Sequence, residues 1–391
     1  MKKTILLFID ALKPEYLKDM PFLASFGKKC GVCRLHTVLG YSHAAHASIW
    51  TGCYPEKHGL FLSYYLKKFK HKKSYTFEWT KPVQTFSLSL PRLLGEYAIR
   101  KSMQPFGWGK GFRPGIQPQL LSKLAYEEVA EDKSFQFARM PTLFSILDDN
   151  HISYKYFRED TDSTRCWRKE NINQEISIFF TALIDYYAQS YGLGTRGLQK
   201  ILQEVDQKAQ SLLSDLDPNK YDIFIFSDHG MVQTKQVFDL NHEFKKKGLK
   251  NGSQFFAFYD STFCRVWCQK HLQNKIISFF KRNIPSTYLD RNMLRKFHVP
   301  RDNNKYGDLI FLTHPGIVLA SNKIQSILKV RMKAMHGFTP DYKEMDGILL
   351  SNCVTTSHAK IIDILPSILQ KYNIKNLGMD GKSILNLHRK M

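Results

Sequence analysis

Three short apolar runs, each ending on an aspartate, constrain this chain more than any other feature. They are Thr4-Ile-Leu-Leu-Phe-Ile-Asp10, Ile176-Ser-Ile-Phe-Phe-Thr-Ala-Leu-Ile-Asp185 and Tyr221-Asp-Ile-Phe-Ile-Phe-Ser-Asp228. Runs of this kind, apolar at nearly every position, predict strands covered on both faces. Ser153 to Phe157 and Gly347 to Leu350 are two further strand candidates. Behind Thr195, the positions Leu198, Ile201, Leu202, Val205, Ala209, Leu212 and Leu213 recur at helical spacing, with the threonine as N-cap. Strands alternating with helices imply an α/β fold, a mainly parallel central sheet with helices on both faces. Ligands bind such sheets beyond the carboxyl ends of the strands, so Asp10, Asp185 and Asp228 are expected to converge on one site. Any single aspartate could merely cap a turn; three in the same position point to shared chemistry.

The rhythm breaks twice. Residues 61–137, rich in Lys, Tyr, Phe, Gly and Pro without a clean period, read as an insertion or cap, and residues 232–335 as a second insertion. The core is then carried by 1–60, 138–231 and 336–391, and 391 residues suffice to bury a sizeable apolar interior. No apolar run approaches the roughly 20 residues needed to span a bilayer. Lys2-Lys3 ahead of Ile5 to Ile9 resembles a signal peptide only briefly, because Asp10 interrupts it. Seven cysteines, an odd number, suggest free thiols and a cytoplasmic protein. Cys30-x-x-Cys33 and Cys264-x-x-x-Cys268 are too far apart in the chain for the usual paired zinc site and read as small buried hydrophobes.

The residues that could do chemistry lie elsewhere. In Gly40-Tyr-Ser42-His-Ala-Ala-His46-Ala-Ser-Ile-Trp-Thr-Gly52, the stretch from Ser42 to Thr51 predicts a helix stopped by Gly52. A serine at a helix start sits beside the positive end of the dipole, which suits a phosphate and favours an alkoxide; the alternative is a plain N-cap. Phe226-Ser-Asp228-His229-Gly230-Met231 and Met335-His336-Gly337-Phe338 offer carboxylate oxygen and imidazole, donors that suit zinc or manganese.

In order and wording these segments resemble the alkaline phosphatase superfamily, and within it the type I phosphodiesterase/nucleotide pyrophosphatase family. The resemblance runs through Leu7-Phe-Ile-Asp10-Ala-Leu-Lys-Pro-Glu-Tyr16, the Ser42 helix closing on Thr51-Gly-Cys-Tyr-Pro-Glu-Lys-His58-Gly, and Asp185-Tyr-Tyr-Ala-Gln189-Ser-Tyr-Gly192. It continues in Ser227-Asp-His-Gly-Met231, Tyr306-Gly-Asp-Leu-Ile, His336-Gly-Phe and Met379-Asp-Gly-Lys-Ser, and leaves out most of 61–137. It implies an alkaline phosphatase-like fold and two divalent metal ions, zinc first, with manganese or magnesium as alternatives. Asp10, Ser42, Asp228 and His229 would hold one metal; Asp185, the residue at Gln189 and His336 would hold the other. Ser42 would attack phosphorus and form a phosphoseryl intermediate, making the chain a hydrolase of phosphodiester or pyrophosphate bonds. Gln189 stands where the family usually has histidine, and amide oxygen is a poorer zinc ligand than imidazole.

Three rivals stand beside this reading. Gln189 could mark a degenerate member that binds a phosphate ligand without turnover. Ser42, Asp228 and His336 follow the Ser, Asp, His order of a metal-independent serine esterase. Gly192-x-Gly194-x-x-Gly197 is formally a dinucleotide fingerprint, though it starts well after the strand run. The formal charge of +22 favours an anionic partner, either a small phosphate-containing molecule or a lipid-linked phosphate, with peripheral contact to an anionic membrane as a further option. Long nucleic acid is disfavoured. Lys67-Lys68-Phe-Lys70-His-Lys72-Lys73 and Phe244 to Lys250 are either that anion surface or simply a solvated face. Phe106, Trp108, Phe112, Tyr64 and Tyr65 could stack a base, touch a lipid interface or form a cap core.

Overall fold

A computed structural model describes residues 2–70, 75–76, 122–127, 139–159, 167–301, 303–320, 332–376 and 378–385. Seven strands make the central sheet: β1 (Lys3–Ile9), β2 (Val32–His36), β3 (Tyr154–Glu159), β4 (Ile176–Thr181), β5 (Tyr221–Phe226), β6 (Gly347–Ser351) and β7 (His358–Lys360). Their spatial order is β7-β2-β6-β5-β1-β4-β3. Neighbours run parallel except around β6, which is antiparallel to both β2 and β5. The expected mainly parallel sheet is therefore present.

Among the described residues six helices cover it: α1 (Pro21–Cys30), α2 (Ser42–Thr51), α3 (Leu143–Asp149), α4 (Leu183–Tyr191), α5 (Arg196–Leu213) and α6 (Ile364–Lys371). Alternation along the strands divides the core between the two faces. Leu6, Phe8, Ile178, Phe180, Phe224 and Phe226 pack on one side with Ala47 and Trp50 of α2, Leu147 of α3 and Ile368 of α6. Ile5, Leu7, Ile9, Phe179, Ile223 and Ile225 pack on the other with Leu23 of α1, Ala188 of α4 and Leu202 and Val205 of α5. Both faces being buried is why these strands are apolar at nearly every position, and each fully buried Leu, Ile or Phe contributes about 1.5–3 kcal/mol.

Local signals set the helix ends. Thr195 Oγ1 accepts the Leu198 N–H at 3.3 Å, the expected cap of α5. At α1 no side chain of its own caps the first turn; the buried carboxylate of Asp206, from α5, accepts the N–H groups of Phe22 and Leu23, each at 2.9 Å. The second apolar run divides differently from its expected form: β4 ends at Thr181, and Asp185 lies in the first turn of α4. The run is long enough for a strand, a tight turn and a helix start, and composition does not mark where one passes into the next. The three glycines at 192, 194 and 197 join α4 to α5, helix to helix, so the strand-to-helix setting of a dinucleotide loop is absent there.

Within 232–335 the strands Phe256–Asp260, Phe263–Trp267, Leu309–Thr313 and Ser286–Tyr288 pair in that order as an antiparallel sheet. Ile276, Phe279 and Phe280 of the helix Lys270–Asn283 pack against it. Phe263, Tyr306 and Leu312 share a second cluster with Leu39, Phe61 and Tyr65, which seats this sheet on the segments flanking Ser42. Tyr65 is thus core. Lys245, Lys246, Lys247 and Lys250 are exposed around buried Phe244 and Leu249, the pattern of a solvated face. Phe106, Trp108, Phe112, Lys72 and Lys73 lie outside the described residues. Among the described residues Cys33, Cys53, Cys264, Cys268 and Cys353 are free thiols, and burial pushes Cys33 up to about 12. Among the described residues, no helix is long and apolar enough to cross a membrane.

Candidate active site

The carboxyl ends of adjacent strands bring the candidate residues together. Asp10 follows β1 directly, Asp228 lies just past β5, and Asp185 stands on α4 after β4. Ser42 opens α2, although Tyr41, not Ser42, is the N-cap, so the hydroxyl of Ser42 is left for other partners. His336 follows the short strand Ala334–Met335, which pairs with Val232–Gln233 just beyond the Asp228-His229 turn.

At the centre is His229. Its Nδ1 donates to the Gly230 carbonyl at 2.9 Å, which fixes the tautomer and leaves the Nε2 lone pair facing inward. Nε2 lies 3.4 Å from Asp10 Oδ1, 3.1 Å from Asp228 Oδ2 and 3.3 Å from Ser42 Oγ. The ring stacks on His336 at 3.7 Å and 11°. His336 Nε2 is 3.6 Å from Asp185 Oδ1. Gln189, one helical turn beyond Asp185, points its amide nitrogen at both carboxylate oxygens, 2.8 and 2.7 Å away.

Backbone geometry supports this assembly. Ala11 takes φ 60°, a left-handed turn that carries its N–H to Asp228 Oδ1 at 3.3 Å, at a conformational cost of about 1 kcal/mol. Both His-Gly pairs are close-approach positions. A Cβ on Gly230 would lie 2.1 Å from the Glu344 carbonyl oxygen, and one on Gly337, at φ +81°, would lie 2.5 Å from the Tyr41 ring.

Burial alone would raise the Asp228 carboxyl, but the positive charge that His229 carries when Nε2 is protonated, and the His46 hydrogen bond, outweigh it and hold the group below the usual carboxylate range. His46 was not among the expected site residues, yet its Nε2 donates to Asp228 Oδ2 at 3.0 Å. The signal for it was its position four residues after Ser42, on the same face of one helix.

Among the described residues two donor groups could hold a metal: Asp10, Asp228 and His229, and Asp185, His229 and His336, the ligand atoms of each lying within 4.8 Å of one another. In the first, two carboxylates at 4% and 0% exposure flank an imidazole lone pair. Buried like charges need compensation, so a divalent cation fits this donor set, and Ser42 Oγ stands beside it. The second group fits less fully, because Gln189 presents nitrogen to Asp185.

The family model for type I phosphodiesterase / nucleotide pyrophosphatase matches residues 4–339. The chain belongs to this family. As a member of it the chain is a phosphodiesterase-like hydrolase with an alkaline phosphatase-like fold. Murine ectonucleotide pyrophosphatase/phosphodiesterase 5 superposes with a TM-score of 0.68 at 12% identity, covering 98% of each chain. The human protein of the same name gives 0.68 at 12% identity, covering 98% of this chain and 97% of that one. An inactive variant of the murine protein in complex with AMP gives 0.67 at 12%, with 98% of both chains covered. At this identity the likeness speaks for the fold. No curated protein matches by sequence.

The serine-esterase rival lacks its geometry. The imidazole beside Ser42 is His229, and the other nitrogen of that ring is committed to a backbone carbonyl where a triad needs a carboxylate.

Proposed function

We propose that the chain hydrolyses phosphodiester or pyrophosphate bonds in small nucleotide-like anions, with Ser42 Oγ as nucleophile. The observation that carries this is the position of Ser42 Oγ, 3.3 Å from the His229 lone pair that also faces Asp10 and Asp228. Asp10, Ser42, Asp228 and His229 would hold one divalent metal, and Asp185 and His336 a second. Metal bound there would neutralise charge on the phosphoryl oxygens and lower the pKa of the serine hydroxyl.

The protein's own residues supply the rest. The first turn of α2 sets the positive end of its dipole on Ser42, favouring the alkoxide. Ser42 Oγ attacks phosphorus in line, the bond to the leaving alcohol or phosphate breaks, and the phosphoryl group with its remaining ester stays on Ser42. Water then attacks the same phosphorus, the bond to Ser42 Oγ breaks, the water's hydroxyl leaves on the phosphate product and its proton returns to Ser42. His46 and the Ala11 N–H hold Asp228 throughout. The AMP bound to the murine relative supports a nucleotide as one half of the substrate.

Hydrolysis of an aryl phosphodiester and an aryl nucleotide ester should require zinc, manganese or magnesium and should fall at least about a thousandfold in Ser42→Ala. Undiminished hydrolysis by that variant would refute the proposal. The non-catalytic alternative draws on Gln189 alone; binding of AMP with no turnover under any of the three metals would favour it.

A further inference from the structure

We infer that the two metal positions are unequal, and that Gln189 holds the second one closed. The inference rests on the metal-dependent reading above and concerns how many ions the protein carries and in what order.

The first position is preorganised for a cation. His229 is locked by Gly230 with its lone pair inward, and Asp228 is held on one oxygen by Ala11 N–H and on the other by His46. The second position is organised for its own closure. Both oxygens of Asp185 accept from the same Gln189 nitrogen, at 2.8 and 2.7 Å. That nitrogen has no lone pair to give a metal. To ligate, Gln189 must turn its amide over and bring Oε1 towards the carboxylate, an arrangement of oxygen against oxygen that only a cation makes favourable. That one nitrogen bridges both Asp185 oxygens, so an ion taking the two together has to break two charge-assisted hydrogen bonds, and it gains Gln189 only as a weak ligand. The pair is spaced four residues apart on α4, so the lock is built into a single helix and does not depend on the first position. His229, the one residue common to both donor groups, is already engaged once the first ion is bound.

The test is calorimetric titration of the demetallated full chain with zinc alone. The wild-type protein should take one equivalent tightly and a second at least about a hundredfold more weakly. Gln189→His places an imidazole at the same helical position and should bring the second affinity within about tenfold of the first. Gln189→Ala removes the lock without adding a ligand, so the second affinity should rise several-fold while the first stays constant. Two equal sites in the wild type would overturn the inference. A weaker second site in Gln189→Ala would overturn it too, because Gln189 would then be a ligand. If either variant fails to fold, as judged by circular dichroism, the wild-type titration decides alone. Two equal sites together with loss of hydrolysis in Ser42→Ala would sink this inference and leave the proposed function standing. One tight site with undiminished hydrolysis in Ser42→Ala would do the reverse.

Discussion

His46 Nε2 lies 3.0 Å from Asp228 Oδ2, and His229 Nε2 lies 3.1 Å from the same oxygen. One carboxylate oxygen thus meets two imidazoles, of which only His46 donates to it. His46 also packs edge-on against Phe8 at 4.7 Å, so the β1 core sets the ring that sets Asp228. Outer partners of metal ligands commonly account for a 10–100-fold difference in affinity.

His46→Ala should accordingly weaken zinc binding at the Asp10, Asp228 and His229 position by about 10–100-fold. Competition against a chromogenic chelator reads this directly, and an unchanged affinity would remove His46 from the site.

Tyr41 links the nucleophile to the inserted sheet. Its hydroxyl donates to the Asp260 carbonyl and accepts the Thr262 N–H at 2.9 Å, while Thr262 Oγ1 donates to the Gly337 carbonyl at 3.0 Å. One hairpin turn therefore holds both the residue before Ser42 and the residue after His336. Tyr41→Phe keeps the ring against Phe263 and His336 and deletes only the bonds made by the hydroxyl, to Asp260 and Thr262. Steady-state kinetics should show kcat reduced between about tenfold and a hundredfold with KM little changed. Parallel changes in both constants would point to a loss of substrate binding instead.

How much of this was legible in the sequence differs by feature. The apolar runs ending at Asp10 and Asp228 marked their strands and their site because both faces of the sheet are buried, leaving no polar alternation to confuse the signal. Asp185 was placed in the site but on the wrong element, since a strand, a turn and a helix start share one apolar stretch. His46 and Tyr41 were visible only as members of a motif. Their roles come from partners 182 and 221 residues away in the chain, and no local pattern encodes such distances. The direction of the Gln189 amide is likewise a property of packing: sequence names the departure from histidine, and only geometry gives its consequence.

His58 makes stability depend on pH. Leu60 N–H donates to its Nδ1 at 3.2 Å, so Nε2 carries the proton and donates to Ser48 Oγ at 3.0 Å. Burial, and then His43, push its pKa down to about 3. In the unfolded chain it titrates near about 6.5. Between those values the unfolded state binds the extra proton, so stability is full above about 6.5 and falls by roughly 1.4 kcal/mol per pH unit below it. Urea unfolding of wild type and His58→Gln at pH 7, 6, 5 and 4 should show the variant less stable at pH 7 but with a slope flatter by about one proton. Equal slopes would mean that His58 is not held neutral.

The central claim is that Ser42 Oγ bonds to phosphorus during turnover. Rapid acid quench of the metal-loaded protein with an aryl nucleotide ester, followed by mass spectrometry of its peptides, tests it most directly. The account predicts a transient nucleotidyl adduct on Ser42 that forms with the burst of aryl alcohol and is absent from Ser42→Ala. Full turnover with no adduct on Ser42 at any quench time, or an adduct on another residue, would contradict it.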